Sequence, residues 1–104
     1  RKAADGHWLW PGFGDNSRVL AWMCARVDGQ ADAKKTPIGY LPNPEDLNLA
    51  GLDLPAEDLE ELLKVDPAVW AAELPDIEAY FAKFGQRLPE RLRQQLKELA
   101  QRLG

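Results

Sequence analysis

Apolar side chains in the second half of this chain recur every three or four residues, which is the spacing of one face of an α-helix. Two stretches carry the pattern: Trp70, Leu74, Ile77, Phe81 and Phe84, and then Leu92, Leu96, Leu99 and Leu103. We therefore predict a helical tail over residues 56–103. It should bend at Pro75, whose ring removes one backbone hydrogen bond, and carry a Glu98–Arg102 ion pair on its outer side.

The first half predicts one helix over residues 16–28. Asp15 or Asn16 is positioned to accept hydrogen bonds as its N-cap, and Asp28-Gly29 supplies the stop signal. Its apolar residues fall on one face, which we expect to pack in the core: Val19, Leu20, Met23, Cys24 and Val27.

Residues 1–15 are predicted to form an aromatic loop, because Asp5-Gly6, Pro11, Gly12 and Gly14 interrupt regular structure there. Residues 30–55 are predicted to be irregular, with at most a short extended segment near 35–41. The fold class is therefore mainly α, with about four helices.

Charge and cysteine content exclude several classes of protein. Thirteen basic and seventeen acidic side chains in 104 residues give a net charge of −4, which argues against binding to nucleic acid or anionic lipid. No apolar run approaches the roughly 20 residues of a membrane span. A single cysteine, Cys24, excludes an internal disulfide and a cysteine-based zinc site.

The unusual part of the sequence is the segment from His7 to Arg18. Three large aromatic residues, Trp8, Trp10 and Phe13, lie within six positions and are separated by proline and glycine. Such rings either fill a core or offer flat faces to a planar ligand such as a nucleobase, and the residues alone leave both open. We expect His7 to be a solvent-facing imidazole and Arg18 to form a surface ion pair.

The eleven residues Trp-Pro-Gly-Phe-Gly-Asp-Asn-Ser-Arg-Val-Leu, positions 10–20, resemble the guanine-site segment of GTP-dependent phosphoenolpyruvate carboxykinases. The resemblance continues at positions 22–23, 26–29, 36–40, 47–49 and 51–52. It implies that residues 1–104 are a single C-terminal segment of the nucleotide-binding domain of a larger enzyme, which is α+β as a whole.

The resemblance also implies residue roles in a guanine site. The rings of Trp8 and Phe13 would stack on the base, with tryptophan at position 8 where phenylalanine is more usual. Gly14, Asp15 and Asn16 would complete the loop, and Asn16 with nearby backbone groups would read the edge of the base.

For the whole enzyme the resemblance implies a cytoplasmic, monomeric, GTP-binding lyase. It converts oxaloacetate and GTP to phosphoenolpyruvate, GDP and CO₂ with the help of Mn²⁺ and Mg²⁺. Residues 1–104 hold no phosphate-loop motif and no predicted catalytic or metal-binding residue, so we expect them to be inactive alone and able to self-associate through the apolar face of the first helix. The alternative is a small helical protein-interaction module whose Trp/Phe loop only fills its core.

Overall fold

The computed structural model describes residues 1–104 and confirms a mainly α fold. The helices and strands, in chain order, are α1 Asn16–Val27, β1 Lys34–Thr36, β2 Gly39–Leu41, α2 Ala56–Leu63, α3 Pro67–Ala72, α4 Leu74–Ala82 and α5 Glu90–Leu103. The two strands form an antiparallel hairpin. None of the helices is both long enough and apolar enough to cross a bilayer.

The chain divides into two compact units, residues 1–35 with 40–64 and residues 36–39 with 65–104. In the first unit, Trp22 of α1, Leu47 of the irregular segment and Leu59 of α2 are buried together. The Trp22 indole N–H donates to the Asp32 carbonyl over 3.1 Å. Further partly buried residues pack on this cluster, namely Ala31, Ala33, Leu49, Leu54, Leu62 and Leu63.

Most of the face of α1 that was predicted to be buried is in fact exposed, and only Val19 is half-buried. Cys24 is exposed, and so are the side chains of Leu20, Met23 and Val27, the last by 88%. The prediction was wrong because α1 turns its one large ring, Trp22, inward instead. A tryptophan buries more apolar surface than any side chain of the exposed stripe, and its indole N–H finds a carbonyl partner.

The stop signal predicted after α1 was confirmed. Gly29 follows α1 with a φ of 70°, a left-handed value that suits glycine. Asp66 caps α3 by accepting from the backbone N–H of Ala68 over 3.0 Å. The bend predicted at Pro75 is a full break, since α3 ends at Ala72 and α4 begins at Leu74.

The predicted ion pair on α5 does not form. The Arg102 guanidinium donates instead to the carbonyl of Pro37 over 2.8 Å. Glu98 accepts from the side-chain amides of Gln94 and Gln95. A backbone carbonyl can compete for this guanidinium, because an exposed i,i+4 ion pair contributes only about 0.3–0.5 kcal/mol.

We predict that Leu59→Ala lowers the free energy of unfolding of the first unit by about 2–5 kcal/mol, because it leaves a cavity against Trp22. Leu20→Ala, the same change on the exposed side of α1, should cost about 0.5 kcal/mol or less. Urea denaturation followed by circular dichroism measures both variants. Equal losses would contradict the assignment of the two faces.

Candidate functional site

Residues 1–9 form a narrow antiparallel loop. The backbone N–H of Ala3 donates to the carbonyl of His7 over 2.9 Å, and that of Leu9 donates to the carbonyl of Arg1 over 3.0 Å. Gly6 makes the turn with a φ of 91°. Only 1% of Leu9 is exposed, whereas its neighbour Trp8 is 66% exposed. The loop therefore buries Leu9 and turns Trp8 outward.

Two side chains of this loop bind α2 and its C-terminal end. The Arg1 guanidinium lies 3.1 Å from both a carboxylate oxygen of Glu61 and the carbonyl of Lys64. His7 Nε2 lies 2.9 Å from Oδ2 of Asp58. These contacts join the loop to α2 across more than fifty positions of sequence, which is why no local pattern predicted them.

His7 also contacts a second carboxylate, since its Nδ1 lies 2.5 Å from Oδ1 of Asp5. Hydrogen bonding to Asp58, and then to Asp5, raises the pKa of His7 above its usual range. His7 in turn lowers the pKa of Asp5, mainly because its backbone N–H donates a hydrogen bond to the Asp5 carboxylate. His7 is thus half-exposed as expected, but it bridges two carboxylates and is not a free loop imidazole.

Phe13 has the most unusual conformation in the chain. Its side chain is 99% exposed, and it is the one non-glycine residue with a positive φ, 47°. Gly12, just before it, has a φ of 76°. A bulky residue held in a left-handed conformation is strained, and such strain concentrates at ligand sites.

Asp15 and Asn16 do not cap α1 with their side chains, so this prediction was wrong. The Asp15 carboxylate accepts from Nε of Arg18 over 3.0 Å, and the Asn16 carboxamide oxygen accepts from the Trp10 indole N–H over 3.0 Å. Both oxygens are therefore used to fix side chains around the turn at residues 13–15. The ion pair expected for Arg18 is confirmed.

Arg18 holds more than its ion pair. The same guanidinium donates to the carbonyls of Asn48 and Ala50, over 2.8 and 2.9 Å. Sequence reasoning missed this role because the two acceptors lie 30 and 32 positions away. The structure thus fixes the turn at residues 13–15 to the irregular segment that follows β2.

The residues predicted for a base site fall in two places. Phe13, Gly14, Asp15 and Asn16 share one short 3-10 turn and the start of α1. Trp8 lies on the preceding loop, where the Lys2 ammonium covers one face of its ring at 4.6 Å from the centroid. Trp8 and Phe13 do not stack on each other, since the only ring pair in the chain joins two residues of the second unit.

The chain offers no ligand set for a metal ion. No three side chains of histidine, cysteine, aspartate or glutamate gather as a metal site would require. Both ring nitrogens of His7 already face carboxylates. The Mn²⁺ and Mg²⁺ implied by the resemblance therefore find no fitting site among these residues.

We predict that the pKa of His7 lies above the usual value in the folded chain and falls when Asp58 is replaced by asparagine. The raised pKa means that the bridge stabilises the fold at low pH and that this contribution is lost as the pH rises through the folded-state pKa. As His7 is the only histidine, proton NMR titration reports it directly. Asp53→Asn is the matched control at an exposed carboxylate, and an equal fall in both variants would contradict the bridge.

Comparison with known proteins agrees with the resemblance of the aromatic loop. The family model described as the phosphoenolpyruvate carboxykinase C-terminal P-loop domain matches residues 1–102. Three similar proteins are each named phosphoenolpyruvate carboxykinase [GTP]. The enzyme of Paenarthrobacter aurescens is 50% identical over 104 residues, which is all of this chain and 17% of that enzyme.

The enzyme of Treponema pallidum is 49% identical over 105 aligned residues, again 100% of the chain and 17% of the relative. That of Neocallimastix frontalis is 49% identical over 100 residues, 95% of the chain and 16% of the relative. The chain thus spans about a sixth of the length of the enzymes that it matches. It belongs to the phosphoenolpyruvate carboxykinase C-terminal P-loop domain family.

Proposed function

We propose that residues 1–104 supply part of the guanine-binding site of a GTP-dependent phosphoenolpyruvate carboxykinase. The whole enzyme converts oxaloacetate and GTP to phosphoenolpyruvate, GDP and CO₂. The names of the relatives support this activity. The observation that carries the role of this chain is Phe13, which is fully exposed on a strained backbone beside Asn16.

The exposed rings suit stacking on a base. Phe13 is 99% exposed and Trp8 is 66% exposed, so neither ring fills the core. The alternative of an interaction module requires both rings to be buried there. A stacked base gains about 1–3 kcal/mol from each aromatic partner. A Cβ placed on Gly14, next to Phe13, would meet no atom within 4 Å, and so a planar ligand has room to approach.

The edge of the base is read by Asn16 in this proposal. Its exposed carboxamide stands at the first residue of α1, next to the turn that carries Phe13. Guanine presents an acceptor at O6 and a donor at N1, and adenine presents the reverse pattern at these positions. A site matched to one pattern leaves polar groups unpaired against the other, which discriminates GTP from ATP.

The chain contributes recognition and not the chemistry of phosphoryl transfer. It holds no phosphate-loop motif and no metal ligand set. Decarboxylation of oxaloacetate leaves an enolate that attacks the γ-phosphoryl group of GTP, and the groups that assist this step lie in the remaining parts of the enzyme. We therefore expect residues 1–104 to have no activity alone.

We predict that Phe13→Ala raises the KM for GTP about 5- to 100-fold in a full-length carboxykinase carrying these 104 residues, because one stacking partner is lost. Thermal stability should not change, since the ring is fully exposed. Phe84→Ala, which removes a 45% exposed ring in the second unit, serves as control. Loss of folding in Phe13→Ala, or an unchanged KM, would contradict the stacking role.

We predict that Asn16→Ala in the same enzyme raises the KM for GTP and lowers the ratio of kcat/KM between GTP and ATP. Removal of one hydrogen bond to the base should reduce this ratio about threefold to tenfold. Steady-state kinetics with both nucleotides measures it. Gln101→Ala, which removes an exposed carboxamide from α5 in the second unit, is the control. If the ratio of kcat/KM between GTP and ATP does not change in Asn16→Ala, the proposal that Asn16 recognises the base is wrong.

A further inference from the structure

We propose that Trp10 is a positioning residue for base selectivity, because its indole N–H fixes which end of the Asn16 carboxamide faces the nucleotide. This inference rests on the proposed guanine site. The contact that carries it is the hydrogen bond of 3.0 Å from Nε1 of Trp10 to Oδ1 of Asn16. Trp10 itself does not touch the base in this arrangement.

The chemistry of the two groups leaves one orientation. An indole nitrogen can only donate, whereas a carboxamide has an accepting oxygen and a donating NH₂ group. The Asn16 oxygen must therefore face Trp10, and the NH₂ group points to the other side of the planar carboxamide. An exposed asparagine without such a partner could turn over and present either group.

Both partners are held in place. Trp10 is half-buried and follows Leu9, which is only 1% exposed. The backbone N–H of Asn16 donates to the carbonyls of Phe13 and Gly14 at the start of α1. The hydrogen bond between them therefore joins two fixed points, and the Asn16 side chain is ordered before any ligand arrives.

An outward NH₂ group selects the substituent at carbon 6 of a purine. A 6-oxo group accepts the hydrogen bond, whereas a 6-amino group would place two donors against each other. Trp10 thus makes the site reject 6-aminopurines without contacting them, since turning the carboxamide to suit adenine would break the bond to the indole.

The test is Trp10→Phe in the full-length enzyme carrying this chain, with kcat/KM measured for GTP, ITP and ATP. Phenylalanine keeps a ring but has no N–H. We expect the GTP to ATP ratio and the ITP to ATP ratio both to fall about threefold to tenfold, the effect of one hydrogen bond. In the Asn16→Ala background, Trp10→Phe should leave both ratios unchanged, because the two residues act as one unit.

Trp70→Phe, the same substitution in the second unit, controls for the loss of a tryptophan. A fall that is equal for all three nucleotides, or that persists in the Asn16→Ala background, means that Trp10 is merely structural and overturns the inference. An altered ratio in Asn16→Ala together with an unaltered ratio in Trp10→Phe also overturns it, but leaves the proposed function standing. No effect in Asn16→Ala contradicts the proposed function itself.

A second variant keeps the inference testable if Trp10→Phe does not fold. Asn16→Asp preserves an oxygen toward the indole and replaces the outward NH₂ by an acceptor. It should lower the GTP to ATP ratio further than Asn16→Ala does, because an oxygen then faces O6. If Asn16→Asp retains the wild-type ratio, the wild-type oxygen faces the base and the assigned orientation is wrong.

Discussion

The candidate site depends on the hydrogen bonds that the Arg18 guanidinium makes. It binds the Asp15 carboxylate on one side and the carbonyls of Asn48 and Ala50 on the other. The Arg18 side chain is only 21% exposed, although its bonds to the two carbonyls lie at the surface. One residue thus connects the start of α1 to the segment that brings Leu47 into the core.

The fold could be predicted from sequence where the signal is local. Gly29 and Asp66 mark helix ends because a left-handed glycine and a capping carboxylate act within a few residues. The buried face of α1 could not be predicted in this way. Its apolar stripe and Trp22 lie on different sides of one helix, and periodicity does not tell which side meets Leu47 and Leu59. That choice depends on partners distant in the chain.

The site shows the same division. The aromatic loop is recognisable in sequence, and Phe13 and Trp8 are indeed presented to solvent. The ion pair of Arg18 was predictable, but the contact of Asn16 was not. Asparagine is a common helix cap, and here its carboxamide oxygen accepts from Trp10 instead. A cap preference describes an isolated helix end. The preference fails at α1, because a 3-10 turn leads directly into this helix and the Trp10 indole donates to the carboxamide oxygen of Asn16.

The conformation of Phe13 explains why these side-chain bonds are needed. A left-handed backbone at a bulky residue costs on the order of 1–3 kcal/mol, and a fully exposed ring recovers none of it by packing. Two neighbouring contacts offset this cost. They are the hydrogen bond between Trp10 and Asn16 on one side of the turn and the ion pair between Arg18 and Asp15 beyond it. In the guanine site proposed above, a base that stacks on Phe13 would therefore meet a backbone that is already fixed in this turn. Pre-organisation of this kind raises affinity without any additional contact.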